Sequence, residues 1–187
     1  MQLRYVQATL LILASLVVAS CTVVSRTSAP PSDINANESG FIYGYVEAVD
    51  DAIERVDIVE YGRVYIPPFN KPPRVLVYNN GFFMAENIKP GKYVVSGFRS
   101  SRNHYNMARS KRDAYQRIYR VLPGEMEYVG AFNVRVTQKG DLRFGKFKVT
   151  ELQRPGERDV LKELYHATEG TAWQDKIARR LKQLRQL

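Results

Sequence analysis

Short runs of apolar residues, separated by turn residues, fill the middle of the chain. Branched and aromatic side chains dominate these runs, which is typical of β-strands. The runs cover residues 41–46, 55–61, 64–66, 74–78, 82–85, 93–98, 115–121, 128–136, 142–144 and 147–149. No helical period appears between them, so a parallel α/β sheet is disfavoured and an antiparallel sandwich or barrel is expected.

Two of the connections have strong turn signals. Residues 79–81 read Asn-Asn-Gly and indicate a hairpin, because Asn and Gly tolerate the positive φ of tight turns. Residues 89–92 read Lys-Pro-Gly-Lys, where Pro fixes φ at the first central position and Gly accepts positive φ at the next.

The pattern changes to a helical one near the C-terminus. Residues 157–168 predict a helix that follows a Pro-Gly break and has one apolar side. A second helix is predicted after Thr171, which forms a capping box with Gln174. Its apolar residues recur at helical spacing: Trp173, Ile177, Leu181 and Leu184. We expect a helical hairpin packed on the sheet, with Trp173 largely buried.

The N-terminus has a third pattern. Arg4 is the only charged residue before Arg26, and residues 5–20 are mainly apolar or small, as in a secretory signal. The run ends in Val18, Ala19, Ser20 and Cys21.

This ending resembles the lipobox of bacterial lipoproteins. In that family a dedicated peptidase recognises small residues such as Val18, Ala19 and Ser20 and cuts before the cysteine. The cysteine thiol, here that of Cys21, receives a diacylglycerol, which requires a good nucleophile. Residues 5–25 are also just long enough to span a bilayer uncut, and an ordinary signal with an incidental cysteine is another alternative. Cys21 is the only cysteine of the chain, which favours the lipobox.

These patterns predict a mainly β fold, an antiparallel β-sandwich followed by a C-terminal helical hairpin. Residues 1–20 are expected to be the signal peptide, 21–39 a flexible tether rich in Ser, Thr, Pro and Asn, 40–150 the sandwich and 151–187 the hairpin. Thr22 follows the cysteine, whereas in Gram-negative lipoproteins an aspartate there tends to retain the protein at the inner membrane. We therefore expect an outer-membrane location. Because Cys21 is the only cysteine, we expect no disulfide within the mature domain.

Residues 87–95, Asn-Ile-Lys-Pro-Gly-Lys-Tyr-Val-Val, resemble the transthyretin-like, or carboxypeptidase regulatory-like, β-sandwich. In such domains a strand, a Pro-Gly turn and Lys-Tyr-x-Val recur. Residues 123–132, Pro-Gly-Glu-Met-Glu-Tyr-Val-Gly-Ala-Phe, are similar to a segment of bacterial lipoproteins of that shape. The resemblance covers roughly residues 41–149 and implies an accessory or binding module without shared catalytic residues.

Candidate catalytic chemistry is scarce. No serine lies in Gly-x-Ser-x-Gly, and His104 and His166 lack the clustered partners of a metal site, so both are expected at the surface. We predict no catalytic residue, metal or cofactor. The acidic residues between Glu47 and Glu60 lack the glycine and spacing of a calcium loop and are expected on a solvated face.

Charge is unevenly distributed in this chain of formal charge +9. Residues 99–120 have a net charge of +6 and residues 175–185 one of +4, so the remainder is net acidic. The first interpretation is that the basic loop folds over the acidic 47–60 segment, or that both are simply solvated. The second is a basic face turned toward an anionic surface. Its candidate contacts are Arg109, Lys111 and Arg112 in the loop and Arg179 and Arg180 in the last helix.

The function predicted first is a non-catalytic, lipid-anchored module that binds or scaffolds something at the cell envelope. Its expected partners are the membrane, through lipidated Cys21, and then anionic lipid, lipopolysaccharide or another envelope protein. Because the chain is expected to be exported, no nucleic-acid partner is predicted despite the basic charge. Two alternatives remain open: an envelope enzyme acting on glycan or lipid, and an assembly subunit that adds a strand or helix to a partner.

Overall fold

A computed structural model describes the folded part of the chain. The described residues are 35–49, 52–62, 74–78, 80–101, 103–106, 117–138 and 146–186. The predicted signal peptide, Cys21 and most of the predicted tether lie outside them, as do the predicted strands 64–66 and 142–144.

Nine strands and two helices lie within the described residues. The strands are β1 (Gly40–Ala48), β2 (Arg55–Glu60), β3 (Arg74–Leu76), β4 (Phe82–Ile88), β5 (Gly91–Arg99), β6 (His104–Asn106), β7 (Tyr119–Val121), β8 (Met126–Gln138) and β9 (Lys146–Glu151). The helices are α1 (Glu157–Ala167) and α2 (Ala172–Gln183).

The strands form two sheets, and the helices follow them as a hairpin, which confirms the predicted mainly β sandwich with a C-terminal helical hairpin. The first sheet has the order β4-β1-β8-β9. The second has the order β3-β2-β5-β6, and β7 also pairs with β5. One pairing departs from the antiparallel expectation, because β1 and β8 run parallel.

The turn predicted at residues 79–81 forms, with Gly81 at a positive φ of 86°, and both segments with predicted turns connect the two sheets. At the first turn the Gly81 amide donates to the Tyr78 carbonyl over 2.8 Å, and Val77 bridges Phe83. The hairpin ends there, because β3 pairs with β2 in the second sheet and β4 with β1 in the first. Residues 89–92 likewise lead from β4 in the first sheet to β5 in the second. At each of these two segments the chain therefore crosses from one sheet to the other. The positive φ predicted for Gly91 is wrong, because Gly91 already belongs to β5 and Asn87 has the positive φ instead, at 56°.

The main core lies between the two sheets. Phe98 of the second sheet meets Phe132 of the first with ring centroids 5.6 Å apart. Strand β6, which lies within the segment expected to be a basic loop, contributes to this core through Tyr105, which is only 5% exposed. A single apolar residue among polar neighbours gave no strand period.

A second core lies between the first sheet and the helices. Trp173 is 2% exposed, and its ring centroid lies 5.1 Å from that of Phe41, so its predicted burial is confirmed. Its indole Nε1 donates to Asn87 Oδ1 over 3.1 Å. Thr171 caps α2 as predicted by accepting from the Trp173 amide, whereas Gln174 accepts from the Gly170 amide instead of reaching Thr171.

The end of the predicted tether belongs to the packed domain. Ala36 and Ser39 are 8% and 4% exposed. The Lys176 amine donates to the carbonyls of Ala36, over 3.1 Å, and Gly124, over 2.7 Å. The Gly124 amide in turn donates to the Ser39 carbonyl over 2.7 Å. The boundary predicted at residue 39 is therefore too late, because a lysine 140 positions away holds this segment.

Candidate functional site

A polar cleft opens where β8 meets the helical hairpin. The pairing of β8 with β1 shifts register around Gly130, whose φ of 107° favours glycine. Bulges of this kind re-aim side chains and are common beside functional sites. The cleft has a volume of about 280 Å³, and five charged residues line it: Arg117, Glu127, Glu151, Glu157 and Arg180.

Glu157 is the most engaged carboxylate of this cleft. It is the first residue of α1, where the helix dipole favours a negative charge. Its Oε1 accepts from the Tyr43 hydroxyl and from Arg180 Nε, both over 2.7 Å, and its Oε2 accepts from the other end of the guanidinium over 3.1 Å. Burial, followed by the bond to Glu157, raises the pKa of Tyr43. The bond to Glu157 likewise raises the pKa of Arg180. This network joins β1, α1 and α2.

Glu127 has a different environment in the same cleft. Burial raises its pKa above the ordinary value, the nearby charges of Glu125 and Glu157 add to the rise, and Arg117 opposes it. The Arg117 guanidinium lies 5.6 Å from the ring centroid of Tyr119. A half-buried carboxyl that keeps its proton to higher pH is the kind of group that serves as a general acid. Sequence reasoning missed Glu127, because nothing local indicates that Arg117 and Glu157 lie beside it.

A second ionic cluster lies on the second sheet. Asp57 is 2% exposed, and its Oδ2 accepts from Arg99 Nε over 2.7 Å. His104 Nε2 lies 3.1 Å from the same oxygen. The other carboxylate oxygen, Asp57 Oδ1, is buried without a hydrogen-bond partner among the described residues. Arg99 of the basic segment therefore meets Asp57 of the acidic one, whereas the loop that the first interpretation expects to fold over the acidic segment lies mostly outside the described residues.

The five predicted anionic-surface contacts are not brought together within the described residues. Arg109, Lys111 and Arg112 lie outside that part of the chain. Arg179 is exposed on α2, whereas its neighbour Arg180 is bound to Glu157 in the cleft. The two adjacent arginines therefore have different surroundings.

Of the two histidines, His104 has 40% of its side chain exposed, and His166 is exposed on α1. Across the described ranges, no three His, Cys, Asp or Glu side chains are grouped in a way that could hold a metal ion. In the same ranges, no helix combines the length and apolar character needed to cross a bilayer.

Comparisons with protein-family models, with curated proteins and with solved structures find no match to this chain.

Proposed function

We propose that this chain is a lipid-anchored, non-catalytic module of the outer membrane that binds or scaffolds another component of the cell envelope. The observation that carries the proposal is Cys21, the only cysteine of the chain, placed directly after Val18, Ala19 and Ser20. Acylation of this thiol is a durable attachment, since each buried methylene contributes about 0.8 kcal/mol.

The folded part supports a binding role more than a catalytic one. Residues Ser32–Leu187 make up one compact unit. Within it, Glu157 and Arg180 bind each other and Tyr43, so their polar atoms cross-link the helices to the sheet. The proposed partners remain anionic lipid, lipopolysaccharide or an envelope protein. The basic contacts proposed for these partners are Arg109, Lys111, Arg112, Arg179 and Arg180. Arg180 also binds Glu157 and so helps to hold the hairpin on the sheet.

Substitution of the cysteine tests the anchor. Cys21→Ser should abolish palmitate labelling and leave the protein either soluble or retained as an uncut precursor. Thr22→Ser is the matched control and should label and fractionate like the wild type. A Cys21→Ser protein that is still cut and labelled would overturn the proposal.

A second substitution tests the location. Thr22→Asp should move the lipidated protein to the inner-membrane fraction on density separation, if sorting follows the Gram-negative pattern. If wild type and variant both sediment with the inner membrane, the outer-membrane part of the proposal is wrong while the lipid anchor stands.

A second candidate function, an envelope enzyme that cleaves glycan, is favoured by one observation. Glu127, with its raised pKa, shares the cleft with Glu151, and glycoside hydrolysis uses a pair of carboxyl groups, one of them an acid with a raised pKa. Release of soluble sugars from purified cell wall by the wild type, lost in Glu127→Gln and kept in the exposed control Glu169→Gln, would favour this candidate. Absence of release by the wild type would rule it out for that substrate.

A further inference from the structure

A row of side chains crosses the outer face of the second sheet, on the side away from the main core. The Tyr61 amide donates to the Lys92 carbonyl over 2.7 Å, and Lys92 lies directly opposite Arg120. Both basic side chains are exposed, whereas the adjacent Tyr93, Tyr119 and Val121 are buried in the main core, which directs Lys92 and Arg120 to the outer face. Like charges directly opposite each other in a sheet are destabilising, so a ligand that supplies negative charge would relieve this pair.

Apolar side chains flank the same row. Ile118 and Leu122 stand two residues to either side of Arg120 and are 44% and 42% exposed, and Tyr61 is 53% exposed. These are three of the five exposed large apolar residues in the described part of the chain. Single exposed apolar residues are ordinary, but their grouping around two cations marks a contact surface. We call Tyr61, Lys92, Ile118, Arg120 and Leu122 the Arg120 patch.

The described part of the chain begins close to this patch. Gly124, two residues after Leu122, donates to the Ser39 carbonyl, and Lys176 binds the carbonyls of both Gly124 and Ala36. Asn35, where the described segment begins, is fourteen residues after Cys21. A chain of that length reaches at most about 50 Å when fully extended. A lipid on Cys21 would therefore hold the domain within about 50 Å of the membrane, within reach of the Arg120 patch.

We propose that the Arg120 patch contacts the anionic lipid surface of the membrane that holds the anchor. Lys92 and Arg120 meet headgroup phosphates, while Ile118, Leu122 and Tyr61 enter the boundary between headgroups and acyl chains. A small soluble anion would satisfy the charges and leave the apolar side chains in water. This inference rests on the proposed lipid anchor and goes beyond the residues expected from sequence, since it names a different sheet face and includes apolar contacts.

The test uses the unlipidated mature chain, Cys21→Ser, because acyl chains would dominate membrane binding and hide the contribution of the patch. Its binding is measured to phosphatidylcholine vesicles with and without phosphatidylglycerol, at low and physiological salt. The chain should bind only the anionic vesicles, and more weakly as salt rises. Lys92→Gln with Arg120→Gln should weaken binding about 25-fold, since each basic group near an anionic surface contributes about fivefold.

The first sheet offers a matched control. Arg135 and Lys148 are also exposed and directly opposite each other, on β8 and β9. Arg135→Gln with Lys148→Gln removes the same charge from the same kind of strand pair and should weaken binding no more than about twofold. Ile118→Ser with Leu122→Ser tests the apolar contacts and should also reduce binding. Thermal unfolding of each variant checks that the fold is retained.

Equal losses from the two charge pairs, unchanged binding after Ile118→Ser with Leu122→Ser, or no binding at low salt would each overturn the inference. Capture of a soluble envelope protein by the patch without vesicle binding would overturn it too. These outcomes are separate from the anchor test, because palmitate labelling of Cys21 does not depend on Lys92 or Arg120.

Discussion

The basic residues of α2 and those of the Arg120 patch look alike in sequence but differ in their surroundings. In α2, the Lys176 amine donates to two main-chain carbonyls and the Arg180 guanidinium binds Glu157. In the Arg120 patch, Lys92 and Arg120 face outward opposite each other. The difference shows that a segment's net charge does not reveal which of its cations hold the fold together and which are exposed without an ion pair in the described structure.

The position of each residue relative to the second core explains the difference. Lys176 and Arg180 lie at the margins of the helical face that carries Trp173 and Ile177, so their chains pass along apolar surface before reaching an acceptor. Lys176 also lies 5.1 Å from the Trp173 ring centroid. Burial, followed by the charge of Arg179, lowers the pKa of Lys176. Long basic side chains in such positions contribute packing as well as charge.

The largest expected effect concerns the residue that holds α2 in place. Trp173→Ala should lower the free energy of unfolding by about 3–5 kcal/mol, because it empties the centre of the second core and removes the bond to Asn87. Chemical denaturation measures the loss. Trp173→Phe keeps a ring against Phe41 and should lose much less. A denaturation midpoint unchanged by Trp173→Ala would mean that α2 is only loosely attached to the sheet.

Removing one cation at a time tests whether the basic residues of α2 contribute more to stability than those of the Arg120 patch. Lys176→Gln should destabilise the fold by about 1–2 kcal/mol, because two carbonyls lose their donor. Arg180→Gln should cost about 1 kcal/mol or less, since its side chain is 41% exposed. Lys92→Gln and Arg120→Gln should each stay within about 0.5 kcal/mol of the wild type, as expected for exposed sites. Equal losses at all four positions in denaturant titrations would remove the distinction.

The periodicity of the chain predicted most of the strands and both helices because their signals are local. The runs behind β1, β5 and β8 alternate or are densely branched, and the helical repeat from Trp173 to Leu184 is regular. Which of the two sheets a strand joins could not be predicted from the local sequence. The turn at residues 79–81 suggests an ordinary hairpin, yet β3 and β4 separate into different layers because each finds a better partner in β2 or β1.

The ionic contacts were beyond sequence reasoning for the same reason. Glu157 and Tyr43 are 114 positions apart, and Lys176 and Ala36 are 140 apart. Composition showed that charge was segregated, but pairing depends on the fold. The register that sets Lys92 opposite Arg120 could not be read before the pairing of β5 with β7 was known.

The smallest expected effect concerns Glu127, which lies in the cleft beside the helical network. Its folded pKa is raised above the ordinary value of 4.5, mainly by burial, so the folded state holds the proton more tightly than the unfolded chain does. The stability that this proton supplies is therefore present below the unfolded pKa and is lost as pH rises through the folded value.

At neutral pH the ionised Glu127 opposes folding, so Glu127→Gln should raise the thermal midpoint slightly. The gain in the free energy of unfolding should be less than about 1 kcal/mol, because the group is only half buried. The gain should shrink as pH falls toward 4.5, where wild-type Glu127 is itself protonated. Arg117→Gln should enlarge the neutral-pH penalty, because Arg117 opposes the rise in pKa. The exposed Glu169→Gln is the matched control for loss of one carboxylate. A Glu127→Gln midpoint below that of the wild type at neutral pH would show that the ionised carboxylate makes a stabilising contact, most simply with Arg117, and that the cleft holds its charges as firmly as the Glu157 network does.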